Sequence, residues 1–243
     1  GGLPFSGLFP IKELKDIVNF VLDSEGEIAL QYGPTEGDSR LIDFLAGWMK
    51  ETEGADVNKD NILVVSGSQQ ALDLIGKIFI DPGDPIIIGL PSYLGAIQAF
   101  KSFRANMVGA RLDKQGINVD TVADILRTYT AKGQKIKFIY VVPDFQNPSG
   151  VTISLERRER LLELCYEYEV VLVEDSPYRD LRFDGKSIPM IRTLDKKGYA
   201  FSLHTFSKLL FPGTRLGWIV ADKAIQEKLT MAKQPTDLCT SPL

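Results

Sequence analysis

Histidine occurs once in this 243-residue sequence, at His204, and cysteine twice, at Cys165 and Cys239. Two cysteines at that spacing suggest neither a metal site nor a disulfide framework, and such usage fits a reducing compartment, with the cytoplasm as the expected location. One histidine leaves a Ser-His-Asp hydrolase a single choice of base, and no Gly-x-Ser-x-Gly elbow presents a serine to it. Gly-x-Gly-x-x-Gly and Gly-x-x-x-x-Gly-Lys-[Ser/Thr] are also missing, which removes the usual support for dinucleotide and P-loop nucleotide binding. No apolar run approaches the roughly 20 residues that span a bilayer, so no membrane association is expected. The opening Gly1-Gly2-Leu3-Pro4-Phe5 lacks the charged start and apolar stretch of a signal peptide and reads as the interior of a longer protein. The formal net charge is -4 with both signs interspersed, and without a Lys/Arg stripe nucleic acid is not an expected partner. There is no repeat, low-complexity tract or linker.

What is present is ordinary globular composition, 44% hydrophobic and 25% charged, in a chain that alternates two patterns. Nearly continuous apolar runs at residues 62–65, 85–88, 138–142, 170–173 and 216–220 read as strands buried on both faces, and residues 200–206 are strand-like. Between them, residues 154–168 place Leu155, Leu161, Leu162 and Cys165 on one side and Arg157, Arg158, Glu159 and Glu163 largely elsewhere, as an amphipathic helix does. Residues 36–50, 67–79, 92–103 and 118–130 read as helices too. Strands alternating with helices predict an α/β fold with a mainly parallel sheet covered on both faces, and such sheets bind ligands beyond the carboxyl ends of their strands.

Four loops stand at those ends. Ser66-Gly67-Ser68-Gln69-Gln70 has the Ser-x-x-Gln spacing of a capping box, and the helix it opens suits either a plain cap or an anion. Asp144-Phe145-Gln146-Asn147-Pro148-Ser149-Gly150 is a turn that Asn147 shapes or uses. Glu174-Asp175-Ser176-Pro177-Tyr178 sets carboxylates and a phenol at one strand end, for a helix cap or for chemistry. Ser207-Lys208-Leu209-Leu210-Phe211-Pro212-Gly213-Thr214-Arg215 surrounds a lysine with Phe206, Leu209, Leu210 and Phe211, a setting expected to lower its pKa and supply a neutral amine.

In order along the chain, Gly-Gly-Leu-Pro, Gln-Tyr-Gly-Pro-x-x-Gly, Ser-Gly-Ser-Gln-Gln-Ala-Leu, Pro-Ser-Tyr, Asn-Pro-Ser-Gly, Glu-Asp-x-Pro-Tyr and Phe-Ser-Lys with Arg215 seven residues later resemble the fold-type I pyridoxal phosphate aminotransferases. The nearest subgroup holds 2-aminoadipate and kynurenine aminotransferases and the aminotransferase-like domains of MocR-type regulators. The resemblance implies a three-layer α/β/α large domain with a mainly parallel seven-stranded sheet, residues 36–243 as the cofactor-binding domain, residues 1–35 as an inter-domain and dimer-contact segment, and a small C-terminal domain that this chain lacks. It implies Lys208 as the Schiff-base residue that also moves the substrate proton, with Asp175 on the pyridine nitrogen and Tyr178 as the other catalytic groups. Asn147 and Tyr178 would bond the ring's phenolic oxygen, and Tyr93 would stack on the ring. Ser68, Gln69, Ser207 and Arg215 would hold the phosphate. Tyr32 would reach the phosphate of a neighbouring subunit, implying a homodimer with shared sites, and Gly2, with Asn147, would lie near the substrate. Thr205 stands where many relatives have serine, and His204 reads as a packed strand residue.

The implied reaction is transamination between an amino acid and a 2-oxo acid by a ping-pong cycle. Two rivals share the scaffold, a β-eliminating lyase and the effector-binding domain of a MocR-type regulator. A serine-lysine hydrolase does not fit, because the residue three before Lys208 is Thr205 and Ser207 is its immediate neighbour.

Overall fold

The computed structural model describes residues 2–243. In chain order the elements are α1 (Ile11–Ala29), α2 (Ser39–Glu53), β1 (Ile62–Val65), α3 (Ser68–Phe79), β2 (Pro85–Leu90), α4 (Leu94–Ser102), β3 (Asn106–Asp113) and β4 (Gly116–Ile117). There follow α5 (Val119–Ala131), β5 (Phe138–Val141), α6 (Leu155–Tyr168), β6 (Val171–Asp175), α7 (Ile191–Leu194), β7 (Ala200–Thr205), β8 (Gly217–Val220) and α8 (Lys223–Asp237). Local chemistry sets several boundaries. Asp38 caps α2 by accepting from the amides of Arg40 and Leu41, and Gly54 ends that helix in the left-handed conformation. Ser154 caps α6 and Asn118 caps α5, each accepting from an amide three residues on.

The strands form one sheet in the order β1-β8-β7-β6-β5-β2-β3-β4. Strands β3, β2, β5, β6 and β7 run parallel, while β8 is antiparallel to both of its neighbours, so β1 points the same way as the parallel set. The expected seven strands are accompanied by an eighth, the two-residue β4, which pairs antiparallel at the end of β3.

Period-two alternation divides the core between the two faces of this sheet. In β5, Phe138 and Tyr140 join a cluster with Leu72, Ile75, Phe100 and Leu229 from α3, α4 and α8. Ile139 and Val141 join Leu126, Leu161 and Cys165 from α5 and α6 on the other side. A third cluster packs Ile42, Leu45 and Met49 of α2 against β1 and Trp218 of β8. Each of these buried Leu, Ile or Phe side chains contributes about 1.5–3 kcal/mol, so both helical layers are needed to hold the sheet.

Three expectations change. Strand β3 was not anticipated because it is an edge strand with an exposed or half-buried pattern at most positions, and its sequence carries no continuous apolar run. Helices α1 and α8 were not anticipated either; α1 is broken at Glu25 (φ -141°), and Ile11, Ile17 and Phe20 on it are exposed. On α6, Leu155 is exposed whereas Arg158 is fully buried, because its guanidinium bonds the carbonyls of Ile153, Pro143 and Pro189 and the carboxylate of Asp144. No helix of the described residues is long and apolar enough to cross a membrane.

Candidate active site

The carboxyl ends of β1, β5, β6 and β7 converge on one cavity of about 250 Å³. Nine of the side chains singled out from sequence line it: Ser68 and Gln69 at the start of α3, Tyr93 at the start of α4, Asn147 after β5, Asp175 and Tyr178 at the end of β6, and Ser207, Lys208 and Arg215 after β7. Thr205, Pro177, Val142 and Pro212 complete the lining.

The Ser66–Gln69 capping box does not form. The residue that caps α3 is Gly67, which offers no side chain, while the Ser66 hydroxyl donates to Asp237 at 3.1 Å and the Gln69 amide donates to the Gly95 carbonyl at 3.0 Å. The helix therefore opens with Ser68 and Gln69 at the cavity and no side-chain cap, the arrangement that suits an anion. Gly67 sits at φ +80° and ψ 161°, and a Cβ built there would lie 2.6 Å from Nη2 of Arg215. The guanidinium thus rests against the bare α-carbon. Across from it, the Ser207 hydroxyl is 2.9 Å from that of Thr205, which also reaches the Leu216 carbonyl at 3.1 Å. The hydroxyl of Thr205 serves to fix Ser207.

Strand alternation separates the adjacent carboxylates of β6. Glu174 accepts from the amides of Ile191 and Arg192 at 3.0 and 2.9 Å and caps α7, while Asp175 faces the cavity. One residue took each of the two readings left open by sequence. Asp175 is 2% exposed; its Oδ2 accepts from the Tyr140 hydroxyl at 2.7 Å and its Oδ1 has no partner among the described residues. Burial pushes its carboxyl up to about 6, against the opposing pull of the Tyr140 hydrogen bond.

Lys208 lies 5.9 Å from the centroid of the Tyr178 ring, and its Nζ donates to the Gly2 carbonyl at 2.7 Å. Its pKa is lowered, by burial first and by the nearby charge of Arg215 second. The direction and its main cause, burial, are the expected ones, but the groups that bury the amine are not. The apolar neighbours in sequence turn elsewhere: Phe206 packs between Trp48 and Trp218, Phe211 meets Phe9, and Leu210 is half exposed. The lysine's surroundings are instead the cavity wall and Arg215. Burial likewise raises the Tyr178 hydroxyl, which accepts from Asn147 at 3.4 Å, and that of Tyr93, with Asp175 adding to both shifts. Gly2 stands at φ +81°, where a Cβ would come within 3.2 Å of the Tyr178 hydroxyl. Gly1 lies outside the described residues. Tyr32 is 77% exposed and lines a separate shallow cleft with Asp237 and Pro242, not its own chain's cavity.

Sequence reasoning missed the supports of these loops. Gln146 is buried; it donates to the Pro91 carbonyl and accepts from the amide and hydroxyl of Ser149, which shapes the turn carrying Asn147. Asp144 is fully buried and meets Arg158 at 2.8 Å and both Arg179 and Arg182 at 3.3 Å. Arg179 also pairs with Glu53 of α2 and directly follows Tyr178, so the two loops that deliver Asn147 and Tyr178 share one ion cluster. Charged loop residues ordinarily read as surface, and no spacing marks these otherwise. Tyr140 was read only as part of a buried strand. His204 is packed as expected, stacked on Trp218 with ring centres 5.0 Å apart, and burial pushes it down to about 3.

Residues 7–242 match the family of class I and II aminotransferases. The chain is 46% identical over 241 residues to aromatic-amino-acid aminotransferase 1 of Thermococcus litoralis, covering 99% of this chain and 58% of that protein. It is 39% identical to the 2-aminoadipate transaminase of Thermus thermophilus, covering 100% of this chain and 59% of that one. Among solved structures, the kynurenine aminotransferase of Pyrococcus horikoshii, in complex with PMP and kynurenine, superposes with a TM-score of 0.95 at 43% identity, over 100% of this chain and 60% of that one. The chain thus spans somewhat under two thirds of the length of the relatives it matches. With a match over nearly every residue and a cavity formed at the expected strand ends, the chain belongs to the class I and II aminotransferase family.

Proposed function

We propose that the protein is a pyridoxal phosphate-dependent aminotransferase that passes the amino group of an amino acid to a 2-oxo acid in two half-reactions. The observation that carries this reading is the pairing, in one cavity, of a lysine amine with a buried carboxylate oxygen that has no partner of its own. An orphaned Oδ1 on Asp175 calls for a donor, which the protonated ring nitrogen of pyridoxal phosphate is. The uncapped start of α3 with Arg215 and Ser207 calls for an anion, which its phosphate is. The donor set therefore fits the group at both ends.

Lys208 would hold the cofactor covalently through Nζ, Tyr93 would cover the ring, and Asn147 and Tyr178 would bond its phenolic oxygen. When bound, pyridoxal phosphate supplies an electron sink for the pair left as an amino acid loses its α-proton. Asp175, ionised above its raised pKa of about 6, would keep the ring nitrogen protonated at neutral pH. Lys208 Nζ, once free, would take the α-proton; its lowered pKa increases the neutral amine available at pH 7. Ser68, Gln69, Arg215 and Ser207 would fix the phosphate so that these groups meet the reacting carbon without search. Gly2 would border the substrate, since its carbonyl already lies beside Nζ.

The active form would be a homodimer in the cytoplasm. The high exposure of Tyr32 and of the apolar residues of α1 supports residues 1–35 as a contact segment, with residues 36–243 as the cofactor-binding domain. Borohydride reduction of the protein loaded with pyridoxal phosphate, followed by peptide mapping, should place the label on Lys208; an unlabelled Lys208 in folded, loaded protein overturns the reading. Incubation with an amino acid and a 2-oxo acid should exchange their amino groups, whereas pyruvate and ammonia from one amino acid would identify a lyase.

A further inference from the structure

Asp175 is held through one of its two carboxylate oxygens. Strands β5 and β6 are parallel neighbours with Tyr140 paired to Val173, so Asp175, two residues on, stands on the same face as Tyr140. The Tyr140 ring packs edge-on to Phe100 with centroids 5.5 Å apart, and its hydroxyl, fully buried, has Asp175 Oδ2 as its hydrogen-bond partner at 2.7 Å. A carboxylate turns about its last torsion and can present either oxygen. The bond from Tyr140 restrains that torsion and makes the oxygens unequal: Oδ2 is engaged by the protein, while Oδ1 has no partner among the described residues, in a side chain that lines the cavity.

We propose that Tyr140 is a positioning residue for the cofactor's ring nitrogen, locking the Asp175 carboxylate through Oδ2 so that Oδ1 alone meets the ring N–H. The inference rests on the pyridoxal phosphate reading and deepens it. The same bond has an electrostatic effect, because a phenol donating to the carboxylate favours its ionised form while burial opposes it. A carboxylic acid at this position would lose the charge that keeps the ring nitrogen protonated. Had the hydroxyl merely been satisfied in the core, its removal would weaken the fold without distinguishing one ligand from another.

The test uses two ligands, pyridoxal phosphate and the analogue with CH in place of the ring nitrogen, titrated against the folded protein to obtain dissociation constants. In Tyr140→Phe, which keeps the ring against Phe100, pyridoxal phosphate should bind several-fold and at most roughly 10-fold more weakly, since the bond is present before the cofactor binds and only its effect on the ring contact is lost, while the analogue binds unchanged. In the Asp175→Asn background the same substitution should have no further effect on pyridoxal phosphate, because the charge it supports is gone. Equal weakening of both ligands, or none, overturns the inference and leaves the cofactor reading intact. Failure of the unsubstituted protein to bind pyridoxal phosphate overturns both. Should Tyr140→Phe not fold, Tyr140→3-fluorotyrosine strengthens the donor while keeping ring and hydroxyl; it should tighten pyridoxal phosphate alone, and a change shared by the analogue overturns the inference.

Discussion

Substituting Gly67 by alanine places one methyl group at the point where backbone conformation and anion binding meet. Gly67 occupies φ +80° and ψ 161°, a region that L-residues adopt at a cost of about 1–3 kcal/mol. For a chain of this length each kcal/mol lowers the melting temperature by about 2–4 °C, so the cofactor-free variant should melt about 2–12 °C lower. The second effect falls on Arg215. The new Cβ would lie 2.6 Å from Nη2 and 3.0 Å from Cζ, closer than real Cβ contacts, and the guanidinium, being the end of a flexible side chain, would move before the backbone does. Losing one charge-assisted contact to phosphate corresponds to roughly 10- to 100-fold in affinity. Calorimetry of the cofactor-free protein measures the first effect. Titration with pyridoxal phosphate and with pyridoxal, which lacks the phosphate, measures the second, and only the phosphorylated ligand should weaken. Combined with Arg215→Ala, the loss of affinity should not add, because both changes remove the same contact, whereas the loss of melting temperature from Gly67 should persist. An unchanged melting temperature, or equal weakening of pyridoxal, would refute the reasoning.

The raised pKa of Asp175 makes the cofactor-free protein sensitive to pH. Its folded value of about 6 exceeds the ordinary 3.8, so its contribution to stability is fully present below the ordinary value and is lost as pH rises through the folded one. Relative to Asp175→Asn, the unsubstituted protein should lose about 2.4 kcal/mol between pH 4 and pH 7 in urea titrations; a flat difference would show that the carboxyl is not desolvated in solution. Asp144→Asn removes the charge shared by Arg158, Arg179 and Arg182 and should destabilise by about 3–5 kcal/mol, read from the urea midpoint at constant slope. Phe100→Ala opens a void against Phe138 and Tyr140, with ring centres 5.1 and 5.5 Å away, and should cost about 3–5 kcal/mol in the same assay.

Legibility followed the physics of each segment. Strands β1, β2, β5, β6 and β8 are continuous apolar runs because both of their faces are buried, and that pattern survives in the sequence. Strand β3, at the edge, needs to bury far less, and its residues carry no such signal. Helix α1 does carry an amphipathic pattern, but its apolar residues Ile11, Ile17 and Phe20 remain largely exposed. The loops bearing Asn147, Asp175, Tyr178 and Lys208 were found because turn residues and charged groups at strand ends are unusual locally, and because their order along the chain is that of a family. Gln146, Asp144 and Arg179 were not found, because a buried ion cluster made of residues far apart in sequence leaves no local mark.

By itself the sequence determined the alternation of strand and helix, the sheet's mainly parallel character and the identity of nine residues that share a cavity. The alternation and the parallel character follow from period and propensity, which are properties of neighbours along the chain, whereas the nine residues follow from the resemblance that the order of their motifs carries. Only the tertiary structure decided what Glu174 does beside Asp175, since the amides of Ile191 and Arg192 that it accepts from are brought to it by the fold. It also decided that the helix start at Gly67 is left uncapped, because Ser66 is drawn away to Asp237 across 171 residues. And it replaced the sequence neighbours inferred to bury Lys208 with a cavity wall and a guanidinium, since Phe206 packs on Trp218, Phe211 meets Phe9 and Leu210 is half exposed.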